Sequence, residues 1–269
     1  VEGGRAVSSK DSTKRTLIVA FSLCVVCSII VSGTAVTLKP MQDANRILDR
    51  NKNILSAAGL FDSQQDGDEV VADRFSQFST YVIDLNEQRV LGKEQLEQLQ
   101  IDIDGYDQRL VINDPNYSEA LERQEDIANI KRRVIYPMIY VVAENEEIET
   151  IVVPVSGYGL WGILYGFLAL EGDANTVKGL AFYELKETPG LGAEVRNPRW
   201  TALWPGKKIY DEAGEVGLRV IKGQGSGDYQ IDGLSGATLT TRGVDNLIQY
   251  WLGDDAYGPI LAQLRETGL

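Results

Sequence analysis

The segment that most limits the fold is TLIVAFSLCVVCSIIVSGTAVTL, Thr16 to Leu38, which contains no charged side chain. As an α-helix it extends about 34 Å, enough to cross a hydrocarbon core of about 30 Å. One transmembrane helix is therefore expected over 16–38, preceded by a tail, 1–15. A cleaved secretory signal shares the basic flank of Lys14 and Arg15 and the small residues near Gly33 to Val36, but its apolar core is usually shorter. Charge alone leaves the topology open, because Lys14 and Arg15 on one side face Lys39, Arg46, Arg50 and Lys52 on the other. The simplest arrangement keeps the short tail in the cytoplasm and exports the rest. Within the run, Cys24 and Cys27 share a helix face at i, i+3 and read as small apolar residues; Ser28 stands where a haem-attachment motif needs histidine.

Composition narrows the chemistry. The 269 residues include no histidine, which removes the commonest general base and metal ligand and excludes a Ser-His-Asp triad. The two cysteines both lie in the apolar run, so the rest of the chain has neither a disulfide framework nor a thiolate metal site. A formal charge of -13 opposes sequence-independent attraction to nucleic acid, so no nucleic-acid partner is expected. Any redox chemistry must come from a borrowed cofactor.

Beyond Pro40 the chain is polar, and residues 39–117 read as a helical stalk followed by an inserted polar region, with a solvated loop at Ser63 to Glu69. Ser118 to Arg133 shows a mixed-charge helical pattern with Leu121, Ile127 and Ile130 as buried positions. The character then changes to strands: Val134–Val142, a run ending at Val155, Ile163–Leu170 and Val177–Leu185. They are rich in β-branched and aromatic residues and separated by turn signals such as Glu144-Asn145 and Gly172 to Asn175. A further strand near Gly217–Lys222 and a helix from about Thr240 to Leu252 complete an α+β domain over 118–269, an antiparallel sheet with helices.

The most informative stretch is Asp232-Gly233-Leu234-Ser235-Gly236-Ala237-Thr238-Leu239-Thr240, just before the apolar pattern Val244, Leu247, Ile248, Trp251. Small residues at Ser235, Gly236 and Ala237 let a large ligand approach the backbone, and a helix start offers unpaired N–H groups to a phosphate. Taken alone, the same letters are also an ordinary helix entry with capping hydroxyls.

The pattern D-G-x-S-G-A-T resembles the flavinylation motif of FMN-binding domains, in which a dedicated flavin transferase moves FMN from FAD onto the last threonine, here Thr238. Other segments are similar to the C subunit (NqrC) of the Na+-translocating NADH:quinone oxidoreductases: Gly157 to Trp161, Glu187-Thr188-Pro189-Gly190-Leu191-Gly192, and Gly253-Asp254 with Tyr257-Gly258-Pro259. The resemblance implies covalent FMN on Thr238. It also implies a pocket drawn from Ser235, Gly236, Ala237, Leu239 and Thr240, from Gly159, Leu160 and Trp161, and from Glu187, Thr188, Gly190, Leu191 and Gly192. It further implies a single-pass protein of the bacterial inner membrane, its large domain periplasmic, relaying electrons beside the A, B, D, E and F subunits of a six-subunit enzyme. Such a protein has no complete activity alone. No dinucleotide fingerprint is present, so NADH oxidation falls to a partner. Two alternatives stand: the G subunit of an Rnf-type, ferredoxin-linked complex, which shares the P-G-L-G and S-G-A-T elements, and a non-redox, membrane-tethered binding domain. Thr240 and Thr241 offer competing hydroxyls near Thr238.

Overall fold

The computed structural model describes residues 13–267 apart from Glu146, so residues 1–12 of the expected tail lie outside the described residues. The chain divides into two compact units, residues 1–49 and 50–269. In the first, helix α1 (Thr13–Ala57) carries the apolar run and continues through Pro40. Its large apolar side chains are exposed, Leu17, Phe21, Ile29 and Val36 among them, and Cys24 and Cys27 are exposed free thiols. By length and composition it is able to cross a membrane.

The last turns of α1 belong to the second unit, where Ile54, Leu55 and Ala57 are buried. Helix α2 (Val71–Phe75), strands β1 (Ser79–Asp84) and β2 (Arg89–Val90) and helix α3 (Lys93–Gln98) follow. Then come the short β3 (Ser118–Ala120) and β4 (Arg132–Val134), the long β5 (Met138–Glu144), β6 (Glu147–Tyr158), β7 (Ile163–Glu171) and β8 (Val177–Glu184), and the single turn α4 (Pro198–Thr201). Strands β9 (Arg219–Ile221) and β10 (Gln230–Asp232) and helices α5 (Thr238–Trp251) and α6 (Gly258–Thr267) complete the chain.

The main sheet has the order β2-β1-β5-β6-β7-β8 with every neighbouring pair antiparallel. Side chains alternate across it, as the period of two requires. Val153 and Val155 of β6 and Leu164 and Leu168 of β7 share one core with Val244, Leu247, Ile248 and Trp251 of α5. The other face carries an aromatic row, Phe75, Tyr140, Phe167 and Tyr183, with ring centroids 6.0, 6.1 and 5.2 Å apart.

Three segments depart from the sequence expectation. The helix expected over Ser118–Arg133 is absent: β3 and β4 pair with each other, joined by a loop. Asp126 captures the N–H of Ile130 (2.8 Å) and of Lys131 (2.7 Å), donors that a helix would turn toward its own carbonyls. Asn129 and Lys131 adopt φ of 54° and 67°. Ile130 is buried and Leu121 packs on the core, but Ile127 is exposed. The segment expected to be an inserted polar region supplies β1 and β2, which extend the main sheet beyond β5. Pro137 separates β4 from β5 within the expected Val134–Val142 strand, and the strand expected near Gly217 is β9, paired in parallel with β10.

Strand β6 changes character at Pro154. It pairs with β7 as far as Tyr158 but with β5 only to Val152. Proline has no N–H to leave unpaired on an open edge. The carbonyls there are capped from the C-terminal region, Pro154 O by the hydroxyl of Tyr257, in the turn between α5 and α6 (2.9 Å), and Ser156 O by Trp251 Nε1 at the end of α5 (2.6 Å).

Candidate functional site

Helix α5 begins at Thr238, two residues earlier than its periodicity suggests, which places that threonine in the first turn. Ala237 at the N-cap offers no side-chain acceptor. The first N–H groups of the 14-residue helix therefore remain open to an external anion, favoured by the helix dipole. Gly236 turns into the helix at φ +75°, a left-handed conformation that costs glycine little, and a Cβ there would lie 3.2 Å from Leu191 Cδ2. The loop before α5 is held from within the helix, since the N–H of Leu234 donates to Thr241 Oγ1 (3.0 Å).

Two glycines set α5 against the sheet. A Cβ on Gly243 would meet Tyr158 O at 2.3 Å, and one on Gly157 would meet Leu247 Cβ at 2.7 Å. The helix start thus sits directly on the backbone where β6 turns toward β7. That turn, residues 159–162, is closed by the Gly159 N–H donating to Gly162 O (2.8 Å).

Glu187 joins the separate segments. Its carboxylate is buried, Oε1 accepting from the N–H of Leu160 (2.9 Å) and Trp161 (3.0 Å) and Oε2 from the Thr240 hydroxyl (2.6 Å). Gly159 and Gly192 leave room for it: added Cβ atoms would lie 2.6 Å from Oε1 and 2.3 Å from Oε2. The three segments singled out in the sequence, far apart along the chain, are consequently one local structure.

The remaining residues divide by exposure. Leu160, Trp161, Leu191 and Leu239, carried on the segments that Glu187 joins, are 40%, 62%, 44% and 51% exposed. Gly190, at φ +75°, makes the exposed turn before Leu191, where the Thr188 carbonyl accepts from the N–H of Leu191 and Ala193. Gly192 and Ala237 are buried. Thr188 and Ser235 lie exposed, and no hydrogen bond joins their side chains to the other segments among the described residues. The three threonines differ sharply: Thr240 is 1% and Thr241 4% exposed, both with engaged hydroxyls, whereas Thr238 is exposed and its hydroxyl makes no hydrogen bond among the described residues.

Sequence reasoning places Glu187 on the pocket wall; it is the buried connector. The same reasoning names Thr241 only as a competing hydroxyl, not as the residue that holds Leu234, and does not single out Gly243. A glycine inside a helical pattern is the available signal for the latter. Among the described residues no cluster of His, Cys, Asp or Glu suits a metal ion.

Comparison with known proteins bears on this geometry. The FMN-binding domain family matches residues 159–253, the span from the β6–β7 turn to the end of α5. The C subunit of the Na(+)-translocating NADH-quinone reductase of Pseudomonas aeruginosa is 46% identical over 97% of this chain and 99% of its own length. Its counterpart in Vibrio anguillarum is 40% identical over 97% and 99%. Among solved structures, Shewanella oneidensis NqrC superposes with a TM-score of 0.71 at 32% identity, covering 82% of this chain and 98% of that one. The corresponding protein of Parabacteroides distasonis, 23% identical with a TM-score of 0.62 over 83% and 96%, shares the fold. With near-complete coverage at this identity, the chain belongs to the NqrC family, the C subunits of the Na(+)-translocating NADH-quinone reductases.

Proposed function

We propose that this protein holds FMN as a phosphoester on Thr238 and relays electrons inside the Na+-translocating NADH:quinone oxidoreductase. In this reading α1 anchors it in the bacterial inner membrane, its large domain is periplasmic, and the A, B, D, E and F subunits are its partners. One observation carries the assignment of the residue: of three neighbouring threonine hydroxyls, only that of Thr238 is both exposed and uncommitted among the described residues.

The residues fit the group. The N–H groups of Thr238, Leu239 and Thr240 lie in the uncapped first turn of α5 and suit the phosphate. Leu160, Trp161, Leu191 and Leu239 supply apolar and aromatic surface for a flat ring. Gly236 and Gly190 keep the approach free of side chains. The bound flavin supplies reversible electron transfer, and the protein places and shields it. During maturation the Thr238 oxygen bonds to the FMN phosphorus of FAD, the pyrophosphate bond breaks, AMP leaves and the hydroxyl proton is released to the flavin transferase. The ester fixes occupancy independently of any free FMN pool. Thr238 holds the carrier and performs no chemistry in turnover.

The test is in-gel fluorescence after denaturing electrophoresis of the chain co-expressed with the transferase. A flavin band is expected for the wild type and none for Thr238→Ala; a dark wild-type band would defeat the proposal, as would peptide mapping that puts the adduct elsewhere. Protease accessibility in intact cells tests the topology.

A further inference from the structure

Resting on the flavin-ester reading, we infer that Glu187 is the positioning residue that selects Thr238 over Thr240 for modification and holds the β6–β7 turn in place beside the attachment point. The selection works through commitment of a proton. Thr240 donates its hydroxyl hydrogen to Glu187 Oε2 at 2.6 Å and is 1% exposed, so its oxygen is shielded from a transferase. Thr241 is committed separately, to the N–H of Leu234. Thr238 is left as the accessible nucleophile.

The carboxylate is suited to this task in a way other side chains are not. Its two oxygens face three donors, so Thr240 turns its proton inward. The other oxygen takes the N–H groups of Leu160 and Trp161, fixing the turn that carries two of the exposed apolar side chains. Burying such a group is costly without compensation, and among the described residues no basic side chain pairs with it; its three donors come from backbone and hydroxyl alone. Glycine at 159 and 192 is the steric condition for the arrangement, since a Cβ at either position would collide with the carboxylate. A residue serving only the core would not require two glycines and donors from two other segments around one carboxylate.

The experiment follows flavin attachment to the full chain with time, in the presence of the transferase, and maps the adduct by peptide mass. Wild type should carry FMN on Thr238 alone. Glu187→Ala should attach flavin about tenfold more slowly, the factor expected when a charge-assisted hydrogen bond that orders the site is lost, and should place a measurable share on Thr240. Glu187→Gln keeps an oxygen for the two N–H groups and should restore most of the rate. Thr240→Val, which removes a single bond and keeps the side-chain volume, guards against a Glu187→Ala chain that does not fold; it should react more slowly than wild type, at Thr238 only. Wild-type rates and sites in both Glu187→Ala and Thr240→Val, or a Glu187→Gln chain as slow as Glu187→Ala with an unchanged melting temperature, would overturn the inference. Absence of flavin from the wild type would instead overturn the reading on which it rests.

Discussion

Gly243→Ala sets two opposing effects against each other, and the structure decides between them. In an isolated helix, alanine is better than glycine by about 1 kcal/mol. At this position the new Cβ would lie 2.3 Å from Tyr158 O, 3.0 Å from Gly159 Cα and 3.1 Å from Tyr158 C, all backbone atoms. Ordinary contact begins near 3.4 Å, so helix and strand must separate by about 1.1 Å, the difference between 3.4 and 2.3 Å. The nearby pair Gly157 and Leu247 is packed too closely to accommodate the shift elsewhere along the helix. Overpacking of this kind costs about 1–3 kcal/mol, and rigid neighbours argue for the upper end. After the helix-propensity gain, a net loss of about 2 kcal/mol is expected, a fall of roughly 4–8 °C in the melting temperature of a unit this size. Tryptophan fluorescence of the full chain in detergent reads it selectively, because Trp161, Trp200, Trp204 and Trp251 all lie in the second unit. Gly33→Ala is the control: nothing lies within 4 Å of the added Cβ. An unchanged or raised melting temperature for Gly243→Ala would refute the close approach of α5 to β6.

Other consequences are equally open to measurement. Tyr257→Phe leaves the buried Pro154 carbonyl without its 2.9 Å partner and should cost about 1–2 kcal/mol in denaturant titration, with the stacking on Trp251 retained. Asp173 sits in the β7–β8 turn, where burial pushes its pKa up but hydrogen bonds from Thr176, Asn175 and Lys208 prevail, leaving it at about 2 against an ordinary 3.8. Its folded pKa being the lower, its contribution is present above pH 3.8 and is lost as the pH falls toward 2. Melting of wild type and Asp173→Asn should therefore converge over that interval; parallel curves would show that the carboxylate is not stabilised.

What is legible in the sequence follows the range of the forces involved. Strands β6, β7 and β8 and helix α5 declare themselves through runs of β-branched residues and through the spacing of Val244, Leu247, Ile248 and Trp251, patterns set by burial. The loop at 121–131 does not, because Leu121, Ile127 and Ile130 mimic a helical stripe while Asp126 diverts the backbone donors, a local competition that periodicity cannot register. Strand β1 buries Val82 and Ile83, but it is a run of six residues set within a polar region, too short to stand out from its surroundings. At the site, the small residues around Thr238 are visible and Glu187 is placed in the pocket by resemblance, but its connecting role is not legible: its partners lie 27, 26 and 53 positions away.

The capped edge of β6 has a consequence for the chain's behaviour in a crowded cell. Beyond Val152 this strand would otherwise display a row of carbonyls able to template another strand, the usual route to intermolecular sheet growth. Pro154 withholds one donor, and Trp251 and Tyr257 occupy two acceptors. The end of α5 and the turn after it thus guard against self-association, while the start of the same helix supports the site. The guard is also distant in sequence, about 100 positions from the strand it covers, so the edge is protected only once the long-range contacts have formed.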